Sequence, residues 1–242
     1  MSATWDRLRA VTQSRIGQDR IGDTVSSAEV LRFRSAHALA RDAVREPLDV
    51  EPLTQAIDAL GLGPAVVVAS QAGSREEYLR RPDLGRRPAD LAPVPADVGA
   101  DVGVVIADGL STTAVAEHAV PMLAAIRDVF AGRLTLAPVV VATDARVALG
   151  DHVGAHLGVT TLLVLIGERP GLSVSDSLGI YLTHRPRPGR RDAERNCISN
   201  IHPPEGLGYE AAARTVAALV DGARLLGESG VRLKDSSHSI GS

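Results

Sequence analysis

A single cysteine, Cys197, excludes an internal disulfide and any metal site built from several thiolates. That sparing use of thiols fits a reducing compartment. Aromatic residues are nearly as scarce, with Trp5, Phe33, Phe130 and three tyrosines making up the whole set. The core must therefore be aliphatic, and recognition by stacking nucleobases on aromatic rings is not expected. Charge is close to balanced at -3, which gives no general basic field for a polyanion, although 75–87 and 185–195 are locally rich in arginine. Nucleic acid is not an expected partner. No apolar run approaches the roughly 18–20 residues that span a bilayer, and residues 1–20 are polar and carry no secretory signal. The chain is read as a cytoplasmic globular protein with no membrane contact.

Standard catalytic signatures are missing as well. There is no G-x-S-x-G, no H-E-x-x-H and no Walker loop, and GLGPAV at 61–66 precedes a strand where a dinucleotide fingerprint would follow one. The histidines are scattered; His152 and His156 are four apart but have no third ligand in view, so zinc is rejected. No D-x-H-x-x-G cobalamin motif occurs. No residue is assigned a catalytic role or a metal.

A length of 242 residues with 45% hydrophobic content supports one large or two small domains around a packed core. Short β-branched runs at 65–70 (AVVVAS), 102–107 (VGVVIA), 138–142 (PVVVA) and 161–167 (TLLVLIG) alternate with helical stretches at 111–130 and 209–226. This pattern predicts an α/β fold with a Rossmann-like, mostly parallel sheet and flanking helices. A helical N-terminal region precedes it, with helices over 27–44, capped by Ser26 or Ser27, and over about 52–60. The expected division is an arm and helical region at 1–62, the Rossmann-like domain at 63–230 and a fraying tail at 231–242. Residues 1–25, with their RIGQDRIGD echo, cannot bury themselves and are expected to be disordered or to lie on another subunit. Pro121 predicts a kink or two short helices within 111–130. Gly150, Gly154 and Gly158 are read as positions where a helix comes close to the sheet, with contact to a ligand as the alternative.

Candidate chemistry gathers where strands end. A parallel sheet presents ligands at the carboxyl ends of its strands, so GERPG at 167–171, after the last apolar run, is the first candidate. The thirty residues beyond Pro170 look too charged and turn-rich to be core, yet they hold Cys197. IADGLS at 106–111 is a second strand end followed by a helix start, suited to a polar or anionic ligand or to a capped turn. Asp108 and Asn196 are further candidates for the same crevice.

LRFRSAHALARDAV (31–44), SREEYLRRPDLGRR (74–87), VVIADGLS (104–111), RVALGD (146–151), LIGERPGLSVSDSLGIYLT (165–183) and PRPGRRDAERNCISNIHPPEGLGYEAAA (186–213) together resemble the small subunit, or light chain, of ethanolamine ammonia-lyase. The likeness runs over nearly the whole chain. It implies a subunit of an ammonia-lyase that converts ethanolamine to acetaldehyde and ammonia with adenosylcobalamin. The implied partner is a TIM-barrel large subunit that carries substrate and catalytic residues, in an assembly of six large and six small chains. Cobalamin would lie between the subunits in base-on form, which agrees with the missing D-x-H-x-x-G motif. The resemblance places its contacts on Val147, Glu168 and Cys197. Relatives with a longer leader are packed into a bacterial microcompartment, and the shorter N-terminal segment here puts that packing in question. The competing expectations are a nucleotide-dependent oxidoreductase, which lacks its glycine fingerprint, and a stand-alone Rossmann-like regulatory module.

Overall fold

The computed structural model describes residues 3–18 and 20–235; Met1, Ser2, Asp19 and 236–242 lie outside it, and with 236–242 most of the expected fraying tail. The chain opens with α1 (Ala3–Arg9) and a small antiparallel hairpin of β1 (Arg20–Ile21) and β2 (Thr24–Val25). The N-terminal segment thus has local structure and still buries little, with Trp5, Leu8 and Val11 exposed. Then comes α2 (Ser27–Arg45), started by the Ser26 hydroxyl, which accepts the Glu29 N–H at 3.3 Å. Of its nineteen residues only Ala43 is buried. α3 (Val50–Asp58) turns two side chains, Leu53 and Ile57, into the core.

The α/β part follows as β3 (Val66–Ala69), α4 (Arg75–Arg80), a 3-10 turn at Leu84–Arg86, β4 (Val102–Ala107), α5 (Thr112–Phe130), β5 (Val140–Thr143), α6 (Val147–Leu157) and β6 (Thr161–Gly167). β7 (Leu178–His184), a 3-10 turn at Asp192–Glu194, β8 (Asn196–Ile201) and α7 (Tyr209–Leu226) complete it. The six-stranded sheet has the order β3-β5-β4-β6-β7-β8. Its first four strands run parallel and β7 and β8 are antiparallel additions. From β4 the chain crosses through α5 to β5 on one side, then back through α6 to β6 on the other. Direction reverses at β4, and the crevice beyond the carboxyl ends of β4 and β6 is where such a sheet receives ligands.

Side-chain alternation builds a core on each face. Val104, Ile106, Leu163 and Leu165 face α5 and α7, while Val105, Leu162, Val164 and Ile166 face α6. Burying each such Leu or Ile stabilises the fold by about 1.5–3 kcal/mol. Both faces are covered, so β4 and β6 read as unbroken apolar runs.

Three expectations are corrected. The stretch beyond Pro170 is not all polar loop: Leu178, Ile180 and Leu182 of β7 are buried against the α7 face. Their alternation with Gly179 and Tyr181 is the signal, and the surrounding charges mask it. Of the two outcomes expected at Pro121, a kink or two short helices, the second is overturned: Thr112–Phe130 form one helix with Pro121 inside it at an exposed position. Asn196 sits at the far end of β8 and bonds Gly230 and the Leu233 carbonyl, away from the crevice. The close-approach reading holds for Gly150 and Gly154, where a Cβ would come within 2.5 Å of Val164 Cγ2 and 3.2 Å of Leu162 Cδ1, and not for Gly158, which ends α6 in the left-handed region against Asp97.

Candidate functional site

Two loops cross at the end of the sheet, and glycine makes the crossing possible. Gly109 follows β4 with φ 58°, and a Cβ there would lie 2.3 Å from the Gly167 carbonyl oxygen. Gly167 itself is pressed against the backbone of Ser111. The Leu110 N–H donates to the Gly167 carbonyl at 3.0 Å and closes the crossing. Beside it opens a hollow of about 370 Å³ whose lining includes Leu110, Arg146, Val147, Ile166, Glu168 and Tyr181.

Asp108 braces this end without entering the hollow. Its buried carboxylate accepts the N–H groups of Asp144 (2.7 Å) and Ala145 (2.9 Å) and an Arg75 Nη1 hydrogen at 3.0 Å. Burial pushes its carboxyl up to about 6 against the pull of Arg75. Arg75 also bonds the Val44 carbonyl and so fastens the end of α2 to the sheet. Ser111 is the capped turn foreseen from the sequence: its hydroxyl accepts the Ala114 N–H and donates to the Ser175 carbonyl.

Tyr78 is the hub of the outer wall. Its ring is fully buried between the guanidiniums of Arg146, 4.5 Å from the centroid, and Arg75, at 4.9 Å. Its hydroxyl donates to the Ala145 carbonyl, and burial raises its pKa well above the usual phenol range. Arg146 Nε is buried at this wall with no hydrogen-bond partner.

Glu168 is held on several sides. Its Oε2 accepts the Ser177 hydroxyl at 2.5 Å and the Asn200 N–H at 3.2 Å, and its side chain lies over Gly179, where a Cβ would be 2.9 Å from Oε1. Oε1 accepts no hydrogen bond from the described residues. Cys197 lies directly across from Tyr181 in the β7–β8 pairing. The residue is exposed, yet burial of its thiol raises the pKa, against a hydrogen bond with Tyr181 that lowers it. Tyr181 is in turn pushed up to about 12, chiefly by burial. A thiol kept protonated with no adjacent base is a soft contact and not an activated nucleophile.

The structure thus brings Val147, the first residue of α6, and Glu168 into one hollow, while Cys197 abuts it from behind Tyr181. Tyr78, Arg86, Arg146, Arg169 and Tyr181 also line it. Arg169 belongs to the GERPG turn that the sequence already points to, and Arg146 stands immediately before Val147 in RVALGD. Tyr78, Arg86 and Tyr181 have no such cue, because they stand on segments that look like connecting loop.

The family profile described as "Ethanolamine ammonia-lyase light chain (EutC)" matches residues 2–234. The chain belongs to the ethanolamine ammonia-lyase light-chain family. A curated relative from Rhodococcus erythropolis, named ethanolamine ammonia-lyase small subunit, is 59% identical over 97% of this chain and 91% of its own. Relatives of the same name are 44% identical in Ralstonia nicotianae (96% of this chain, 88% of theirs) and 47% identical in Xanthomonas campestris pv. campestris (96% and 87%). As a light chain it is an ammonia-lyase subunit, and the name small subunit implies a large one. In this light chain GERPGL and ERNCISN, far apart in sequence, meet through the bond from Asn200 to Glu168. Among its described residues no helix is long and apolar enough to cross a membrane.

Proposed function

We propose that this chain is the small subunit of an adenosylcobalamin-dependent ethanolamine ammonia-lyase and forms one half of the cobalamin site. A large TIM-barrel subunit closes the other half and carries the substrate. The observation that carries this reading is the hollow beside the crossed loops, open on one side and lined by a fixed carboxylate, arginines and apolar groups.

Those residues fit a corrin. The ring is an apolar plate edged with amides, so it needs hydrogen-bond acceptors for its N–H groups, donors for its carbonyls and apolar surface for its face. Glu168 Oε1 is a vacant acceptor, Arg146 and Arg169 bring guanidinium donors to the lining, and Val147 and Ile166 supply apolar surface. A bond to a charged acceptor contributes about 1.5–3 kcal/mol. When bound, adenosylcobalamin supplies the radical chemistry that starts the conversion of ethanolamine to acetaldehyde and ammonia. This chain's residues grip and orient the group, keep water from its edge and hold Cys197 as a neutral thiol beside it. The partner reading is supported by α2, which leaves Leu31, Phe33 and Leu39 exposed on a helix that little else covers.

Titration of the reconstituted two-subunit complex with cobalamin, followed by visible absorbance, tests this. Glu168→Gln should weaken binding about 10- to 100-fold, and the chain alone should form no acetaldehyde. Unchanged affinity, turnover by the isolated chain, or a colourless monomer that binds another metabolite would overturn the reading.

A further inference from the structure

The hollow does not end at Asp192. A second depression of about 410 Å³ continues from it, sharing Arg86, Ala148 and Asp192, and is walled by Arg87, His152, Arg190 and Arg191. Four guanidiniums thus face one carboxylate. Arg190 is committed to Glu194 at 2.5 Å and to the carbonyls of His184 and Arg185. Asp192 points its carboxylate toward Arg195 Nε, 3.7 Å away. Among the described residues the side chains of Arg86, Arg87 and Arg191 make neither an ion pair nor a hydrogen bond, although Arg87 lies near enough to Asp83 to lower its pKa.

Like charges gathered this way repel one another, and they are not on floppy segments. Arg86 and Arg87 leave the 3-10 turn that Gly85 seats on Tyr78, where a Cβ would lie 2.8 Å from the ring. The Gly85 carbonyl accepts the Arg146 N–H at 2.8 Å and ties that turn to the start of α6. Arg191 comes from a separate turn, fixed because its own N–H donates to Glu194 Oε2 at 2.8 Å. The two turns meet over the first turn of α6, which has no side-chain cap. Planar donors on two fixed supports beside an uncapped helix start are the arrangement that holds a phosphate oxyanion. Burial lowers the pKa of His152 against the opposing pull of Asp151, and Arg87 lowers it further.

We infer that this arginine-walled annex binds a phosphodiester, that of the nucleotide tail of the cobalamin held in the adjoining hollow. The inference rests on the cobalamin reading above. It separates the ligand's chemistry between two compartments: Glu168 would repel the tail's negative charge and suits the corrin amides, whereas Arg86, Arg87 and Arg191 suit the one anionic group the cofactor carries.

The test uses the two-subunit complex and two probes, cyanocobalamin and dicyanocobinamide, which keeps the corrin but lacks the nucleotide tail. In Arg87→Gln/Arg191→Gln, two residues that line the annex and not the hollow, cyanocobalamin should bind about tenfold or more weakly, with a shallower dependence on salt, and the cobinamide affinity should not change. Equal weakening of both probes, or of neither, overturns the annex. Loss of the large subunit from the variant on size exclusion would overturn it too, and would mean that an acidic segment of the partner fills the depression instead. A wild-type complex that binds neither probe would instead overturn the cobalamin reading itself.

Discussion

The Ser177 hydroxyl donates to Glu168 Oε2 at 2.5 Å, and the backbone is doubled at the same place by the Glu168 N–H bond to the Ser177 carbonyl at 2.9 Å. Ser177 is therefore a positioning residue for the carboxylate assigned to the corrin. Ser177→Ala keeps the charge of Glu168 and frees its rotamer, a loss of about 1 kcal/mol, or roughly fivefold in cobalamin affinity. That is less than Glu168→Gln, and Ser177→Thr should restore most of it. A loss as large as that of Glu168→Gln would mean that Ser177 touches the ligand itself.

Much of this fold is legible in the sequence because its strands are buried on both faces and its helix starts are capped by Ser26 and Ser111. Strand β7 escaped because its alternation, Leu178, Ile180, Leu182, sits between two charged segments that dominate any local average. The site is half legible. Val147 and Glu168 stand at element ends, where topology puts ligands, but Tyr78 and Arg86 reach the site only through the packing of an irregular segment. No periodicity reports such a contact.

Asp101 gives a pH-dependent contribution with a defined sign. Its carboxylate accepts the Thr135 N–H and hydroxyl and an Arg224 hydrogen, joining the start of β4 to α7. These contacts, the Thr135 N–H first, hold its carboxyl below the ordinary 3.8. A depressed folded-state pKa means the stabilisation is present above the unfolded value and lost as pH falls through the folded one. Asp101→Asn should cost about 1–3 kcal/mol in urea denaturation at pH 7 and progressively less below about pH 4. A cost that stays constant down to pH 3 would rule out this account.

Helix propensity and packing oppose each other at Gly150. Alanine favours a helix over glycine by about 1 kcal/mol, but the new methyl group would meet Val164 Cγ2 at 2.5 Å and Leu162 Cδ2 at 3.0 Å, both fully buried. Overpacking a rigid core costs about 1–3 kcal/mol, so Gly150→Ala should be net destabilising. Gly222→Ala in α7 is the control, since its Cβ would meet only the end of the Leu233 side chain at 2.8 Å, which can turn aside. Equal stabilisation by both changes would show that α6 can move off the sheet.

Arg195 and Asp151 form the most deeply buried ion pair among the described residues, each side chain 1% exposed. The guanidinium is bidentate, with both bonds at 2.7 Å, and also donates to Thr183 Oγ1 at 2.8 Å and the Arg190 carbonyl at 3.1 Å. It joins α6 to the turn that enters β8, which sets where Cys197 and Arg191 stand. Asp151→Ala would strand a buried guanidinium and should cost about 3–5 kcal/mol. Removing both charges, as in Asp151→Leu/Arg195→Met, should recover much of that stability because no charge is then left unpaired. The double variant should still weaken cobalamin binding in the assembled complex, because the turn carrying Arg191 loses its anchor. A double variant with wild-type stability and wild-type cofactor affinity would show that the pair neither anchors the turn nor bears on the annex.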